Sequence, residues 1–501
     1  MAVNQIKVGA IISYIALFLN VLIGLLYTPW LINTIGKSDF GLYTLAMSII
    51  GLLAFDFGLG NATSKFISQY LAEDRQDKVN DLVGMIYKLY LIIDVCILLI
   101  MAVLFFFLPH IYSGLTPEEL DRFTDVFLIA ALFCVISFPF IPQNGILNSY
   151  EKFVQLKSCD LFNRLFIVLT MSLCLVLGYG LYALVLVNSI SGILTILIKQ
   201  WIIQHDTKLR VNFSFWGKSE IRTILTFTFW VTVVALSQRM IFNIAPSILG
   251  VFSDSKAIAA LGIAITLESY VYLIANALNG MFLPRVSRLM VTDGPNEVLE
   301  LMIKIGRIQI YIIGFILILF IAFGHHFIQV WIGDEYDIVY PCFVLIALPS
   351  FLHLPQEIGL TYLVAANKVK NQAYIYIFMA VINLLLAIPL TILYGGIGLC
   401  FAIFIAYVFR TICLDYLFYK DLKLNVWSFF KKSYAKLFLP LVVVLLCAYI
   451  INVLFHIEGW LGLIIKGLFY TILYVFMVYV ACFDKYEKDL FLKTIRFVKI
   501  R

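Results

Sequence analysis

Apolar residues along this chain fall into long runs of about 20 residues, separated by short polar connections. An α-helix rises about 1.5 Å per residue, so such a run matches the roughly 30 Å of hydrocarbon in a bilayer. Lipid supplies no partners for backbone N–H and C=O groups, which leaves the helix as the element that satisfies them within one segment. The pattern predicts helices near 8–32, 40–63, 81–108, 123–147, 159–177, 181–203, 223–250, 257–283, 300–323, 338–365, 373–393, 397–418, 434–455 and 461–483. The first run is too long for a signal-peptide core and lacks a small-residue cleavage site, so it reads as a retained helix. The expected fold is therefore an all-α polytopic membrane protein with about fourteen transmembrane helices.

Composition agrees: 62% of the 501 residues are hydrophobic and 13% charged, against roughly half and a quarter in soluble domains. The nine cysteines lie nearly all in apolar runs without a CxxC pair, as small core hydrophobes would. Six scattered histidines form no HExxH, there is no P-loop, and Gly58-Leu59-Gly60 lacks the third glycine of a dinucleotide fingerprint. The reading assigns no catalytic residues, metal site or cofactor.

Charge sets the orientation. One set of connections is basic (Lys65, Arg75 and Lys78; Lys152 and Lys157; Lys208, Arg210, Lys218 and Arg222; Lys368 and Lys370), while the alternate set holds little beyond Lys37, Arg122 and Lys256. The positive-inside rule puts the basic set and both termini in the cytoplasm. Topology thus accounts for the net charge of +6 without a nucleic-acid partner. In the tail 484–501, Phe491, Ile495 and Val498 recur at helical intervals among cations, which suits either an interfacial helix or an orientation signal.

Two internal echoes share nearly one offset. Gly178-Tyr179-Gly180-Leu181 resembles Gly395-Gly396-Ile397-Gly398-Leu399, and the connection ending in Lys152 matches that ending in Lys370, 218 residues later. Repeated six-helix halves are a recurrent transporter plan. The organisation expected is an N-terminal six-helix lobe over 1–210, a second over 211–425 in pseudo-twofold repeat, an added helix pair over 426–483 and a basic cytoplasmic tail over 484–501.

A charge deep in a membrane helix costs about 2.5–3.5 kcal/mol on insertion scales and should face protein, water or substrate. Arg164, Lys199, Lys304 and Arg307 lie near the basic side, where long stems snorkel. Arg239 lies near the middle of the seventh predicted helix, on one face with Thr228, Thr232 and Asn243. The eighth presents Glu268, Tyr272, Asn276 and Asn279, the first Asn20, Gly24 and Tyr27, and the second Ser48, Asp56 and Gly60. These stripes fit a polar cavity in which Arg239 attracts a phosphate, or interhelical hydrogen bonds with Arg239 paired to Glu268 or Asp56. Asp94, Glu357, Arg410 and Asp415 show no comparable stripe. Pro29, Pro139, Pro142, Pro246, Pro349, Pro355 and Pro389, in or at the ends of apolar runs, read as hinges or as passive kinks.

The stretch Gly36-Lys37-Ser38-Asp39-Phe40-Gly41-Leu42-Tyr43, followed by Phe55-Asp56-Phe57-Gly58-Leu59-Gly60-Asn61-Ala62 and Lys65-Phe66-Ile67-Ser68, resembles bacterial polysaccharide-export flippases. These belong to the multidrug/oligosaccharidyl-lipid/polysaccharide exporter superfamily. The resemblance extends to length, helix count and the Gly turn before the sixth helix. It implies a two-lobed bundle around a cation-lined cavity that carries an undecaprenyl-diphosphate-linked oligosaccharide from the cytoplasmic to the periplasmic leaflet of the inner membrane by alternating access. Membrane lipids and polysaccharide polymerase machinery are the implied partners, and O-antigen, capsule or exopolysaccharide the implied product. On this resemblance Arg239 faces phosphate within a cavity lined by Asn20, Tyr27, Asn243, Tyr272 and Asn276, while Asp56 and Glu268 are candidates for H⁺ or Na⁺ coupling. A drug/cation antiporter of the same superfamily would be expected to have twelve helices. A membrane polymerase or ligase would need a larger outward loop than 109–122 or 324–337.

Overall fold

The computed structural model describes residues 2–279, 282–292, 294–455, 457–484 and 487–488, with side chains from Leu17 onward except at 61, 227, 276–279, 283, 284 and 291. Among these residues the chain is helical without strands. Twelve described helices are long and apolar enough to cross a membrane. One of them, Val369–Leu422, joins two spans across Gly395, whose φ of 58° and ψ of −139° are non-helical. Lys37–Leu53 adds a 17-residue apolar helix, which brings the described architecture to the expected fourteen. Large apolar side chains such as Phe106, 75% exposed, point outward along these helices. That is the surface a lipid solvent requires and water would not tolerate. The protein is a multi-pass membrane protein.

Several expected helices are interrupted, and in each case the chain supplies the reason. The run 40–63 ends at Leu53 and resumes as Leu59–Ala72. Between them Phe57 (φ 52°) and Gly58 (φ 67°) occupy the left-handed region, where glycine carries no steric penalty. Pro139 lies in a single 3₁₀ turn, Phe138–Phe140, and Pro142 precedes Gln143–Ser149. Pro246 stands at the start of Ala245–Phe252, Pro349 precedes the short Ser350–His353 helix, and Pro355 lies within the 3₁₀ turn Leu354–Gln356 that follows it. A missing N–H breaks the i→i−4 ladder at each. These prolines therefore divide the spans, whereas Pro29 and Pro389 each sit inside a helix.

The internal echo has a backbone counterpart. After Gln143–Ser149 the amides of Tyr150 and Lys152 donate to the carbonyls of Ile146 and Leu147, and Glu151 takes φ 56°. After Glu357–Ala365 the amides of Ala366 and Lys368 donate to Tyr362 and Leu363, and Asn367 also takes φ 56°. The two left-handed helix ends, at 151 and 367, lie 216 residues apart, and Gly178 and Gly395 repeat the left-handed turn at almost the same spacing.

The chain forms two compact units, 1–263 with 373–406 and 264–372 with 407–501. In the second, Tyr470 and Tyr474 of Gly459–Met477 donate to the carbonyls of Phe315 and Tyr311, 2.8 and 2.7 Å away. With Leu441, Val444 and Ala448 these tyrosines close an apolar core against Pro295–Ile332. Most of the 484–501 tail lies outside the described residues.

Candidate functional site

In the first unit the helix break at 54–58 builds a polar seam. The Asp56 carboxylate accepts the Gly60 amide at 2.6 Å and the Tyr90 hydroxyl at 3.0 Å, so it caps the helix that follows. Thr232 donates to the carbonyl of Phe57, exposed by the same break. The Phe55 and Phe57 rings stack 4.0 Å apart.

Arg239 reaches this seam from Lys218–Phe242. Its Nη1 donates to the Gly51 carbonyl at 2.5 Å, and its guanidinium lies 5.2 Å from the Phe55 ring centroid. Among the described residues no ion pair joins it to Asp56, although Asp56 is its nearest acidic influence. Asn243, one turn on, packs so closely that a Cβ on Gly51 would lie 2.4 Å from its Nδ2. Gly51 is thus the absence of a side chain that lets both polar groups approach. The result is a half-buried cation partnered by a carbonyl dipole and an aromatic face, with no acid in direct contact among the described residues.

The other sequence-selected residues occupy different surroundings. Asn20 is half-buried on the first helix. The charged neighbour of Tyr27 is Arg164 rather than Arg239, and its hydroxyl is buried without a hydrogen-bond partner among the described residues. Glu268 and Tyr272 belong to the second unit. Tyr272 is 40% exposed, while Glu268 is 8% exposed and accepts a 3.0 Å hydrogen bond from Ser350. The side chain of Asn276 lies outside the described residues.

Glu268 opens a buried chain of polar groups that sequence reading did not assemble. Ser350 Oγ lies 3.4 Å from His353 Nε2, whose ring centroid is 5.3 Å from that of Tyr407. Arg410, 2% exposed, stacks over Tyr407 and is the cationic neighbour of both His353 and Glu357. Gln356 bonds Asp415, and Tyr434 donates to the Phe351 carbonyl. The spacing of 350, 353 and 357 was the available signal, since three- and four-residue steps share one helical face. The adjoining prolines obscured it.

Solved structures share this fold. A lipid II flippase, MurJ, in an inward closed conformation is 16% identical with a TM-score of 0.73, over 96% of this chain and 99% of that one. An inward-facing multidrug resistance MATE family transporter of the MOP superfamily is 14% identical with a TM-score of 0.67, over 85% of this chain and 100% of that one. The MATE multidrug transporter DinF-BH is 18% identical with a TM-score of 0.60, over 85% and 96% respectively. No curated protein matches the chain in sequence. A family model described as polysaccharide biosynthesis protein matches residues 6–290, a stretch that takes in the whole Arg239 seam and more than half of the chain, and the protein belongs to that family.

Proposed function

We propose that this protein is a flippase that moves an undecaprenyl-diphosphate-linked oligosaccharide from the cytoplasmic to the periplasmic leaflet of a bacterial inner membrane, by alternating access, for synthesis of a surface polysaccharide such as O-antigen, capsule or exopolysaccharide. The observation that carries the reading is the state of Arg239: a half-buried guanidinium held by the Gly51 carbonyl and the Phe55 ring rather than by an acid. Such a group retains its charge for a phosphate, and a diphosphate is the fixed part of every lipid-linked sugar of this class. Family membership supports the polysaccharide role. In this reading both termini are cytoplasmic, as the basic connections require. Polymerase machinery would receive the product.

Asp56 and Glu268 are the proposed groups for H⁺ or Na⁺ coupling. Glu268 is the stronger of the two, because a buried carboxyl bonded by a hydroxyl can change charge without losing its partner. A multidrug antiporter is the second reading, favoured by the shared fold with the MATE transporters. Against it, those alignments cover 85% of the chain while the lipid II flippase alignment covers 96%.

The test is reconstitution of the purified protein into liposomes with a fluorescent undecaprenyl-diphosphate oligosaccharide, with leaflet exchange followed with and without a proton or sodium gradient. Exchange above that of empty liposomes, increased by one gradient, is expected. Gradient-driven efflux of an organic cation with no lipid exchange across several glycans would establish the antiporter instead.

A further inference from the structure

The second unit holds a cavity of about 330 Å³ where Pro295–Ile332 meets the ends of the last two helices. Its back wall is a clasp centred on Arg307, which is 5% exposed. Nε and Nη2 donate to the two carboxylate oxygens of Glu487 at 2.7 and 2.8 Å, and Nη2 also donates to the Tyr311 hydroxyl at 2.7 Å. Two backbone carbonyls complete it: Lys432 O at 3.0 Å from Nη1 and Cys482 O at 2.8 Å from Nη2. Both belong to π-helical segments, Lys431–Ala435 and Val478–Cys482. A π turn is wider than an α turn and is a recurrent feature of functional sites, and here each one turns a carbonyl toward the same guanidinium. Arg307 is therefore not a snorkelling anchor, as its place near the basic side suggests, but the centre of a fixed wall.

The clasp cancels its own charge, and the rest of the lining does not balance. Glu300 accepts from Lys432 at 2.7 Å, and Asp484 caps the Glu487 amide at 2.8 Å. Lys304, Lys431 and Lys436 also line the cavity, all exposed at its mouth. Lys304 stands one turn before Arg307, and the π segment sets Lys431 and Lys436 five residues apart, one turn above the other. Immediately beyond Lys436 the helix exposes Phe438 and Leu439, and the facing π segment exposes Val480. A cationic mouth thus opens beside lipid-facing apolar surface.

From this juxtaposition we propose that the cavity binds the phosphate head group of an anionic phospholipid, with Lys304, Lys431 and Lys436 as its contacts and the acyl chains lying against Phe438, Leu439 and Val480. Basic recesses between helix ends at the membrane surface select such head groups by charge, and the flanking apolar surface favours a lipid over a soluble phosphate. The occupant stabilises the joint between Pro295–Ile332 and the final helix pair. The proposal is independent of what the protein transports.

The test uses the full chain, delipidated in a neutral detergent. Native mass spectrometry measures retention of phosphatidylglycerol and phosphatidylcholine, and the thermal midpoint is recorded with each lipid and with inorganic phosphate. Wild type is expected to retain phosphatidylglycerol on the order of tenfold more than phosphatidylcholine, with the preference lost in Lys304→Gln/Lys431→Gln/Lys436→Gln and restored by arginine at the same positions. If the triple variant does not fold, Lys431→Gln/Lys436→Gln, on the exposed rim, is expected to lose most of the preference. Equal retention in wild type and variants overturns the site, and stabilisation by inorganic phosphate equal to that by phosphatidylglycerol overturns its assignment to a lipid.

Discussion

Two polar regions in this protein handle charge in opposite ways. In the first unit Arg239 and Asp56 are half-buried, and each leans on backbone exposed by the break at 54–58: the Gly51 carbonyl for one, the Gly60 amide for the other. In the second unit Glu268, Ser350, His353, Tyr407 and Arg410 form a chain of side chains packed beneath the surface. Charge satisfied by a backbone dipole remains available to a ligand, since a carbonyl offsets only part of it. Charge held among buried side chains is bound into the fold, and its removal leaves another group stranded. The contrast separates a region suited to meeting a charged cargo from one suited to changing its own protonation.

Arg410→Ala tests that contrast most severely. It removes a 2% exposed guanidinium that stacks over Tyr407 and should lower stability by about 3 kcal/mol, read as the thermal midpoint and the monodisperse fraction in detergent; a loss under about 1 kcal/mol would erase the distinction. Arg239→Ala should do the reverse, with lipid exchange in liposomes falling on the order of tenfold while stability changes by about 1 kcal/mol, the worth of one hydrogen bond. Collapse of the folded protein would instead make Arg239 structural. Glu268→Gln keeps an acceptor for Ser350 and should preserve abundance within about 1 kcal/mol, yet abolish the response of exchange to the ion gradient. A response that survives moves coupling to Asp56, where Asp56→Asn retains the cap and isolates the charge. Gly51→Ala sharpens the picture at the smallest cost. The new Cβ meets only the end of Asn243, so stability should fall by about 1 kcal/mol or less, while exchange drops with Asn243 displaced from its position beside Arg239.

Much of the fold was legible because its cause is repeated at every turn. Nearly every span was placed from hydropathy alone, and the Gly178 and Gly395 turns were found from residue type, since the left-handed conformation they adopt is a property of glycine itself. The interruptions were harder. Phe57 shares the left-handed region with Gly58, and the break there is held by Asp56 and Tyr90, whose separation of 34 residues no local pattern reveals. The site divides similarly. Arg239 was marked by depth, and the structure gives it Gly51 and Phe55 as partners, residues without any polar side chain to draw notice. Glu357 carried no stripe because Pro355 divides its helical segment from that of His353, and Arg410 stands with Tyr407 on another helix altogether.

Helix number, membrane residence and the internal offset near 217 residues are written in periodicity and residue type, which act over one or two turns and need no distant partner. Which charges remain available and which are consumed was decided only by tertiary packing. Arg307 reads along the chain as a snorkelling anchor and Arg239 as a deep charge, yet it is Arg307 that is enclosed by Glu487, 180 positions away, while Arg239 meets a bare carbonyl. The energy of a charge in a membrane protein is set by the groups within a few ångströms of it, and the fold alone determines what those groups are.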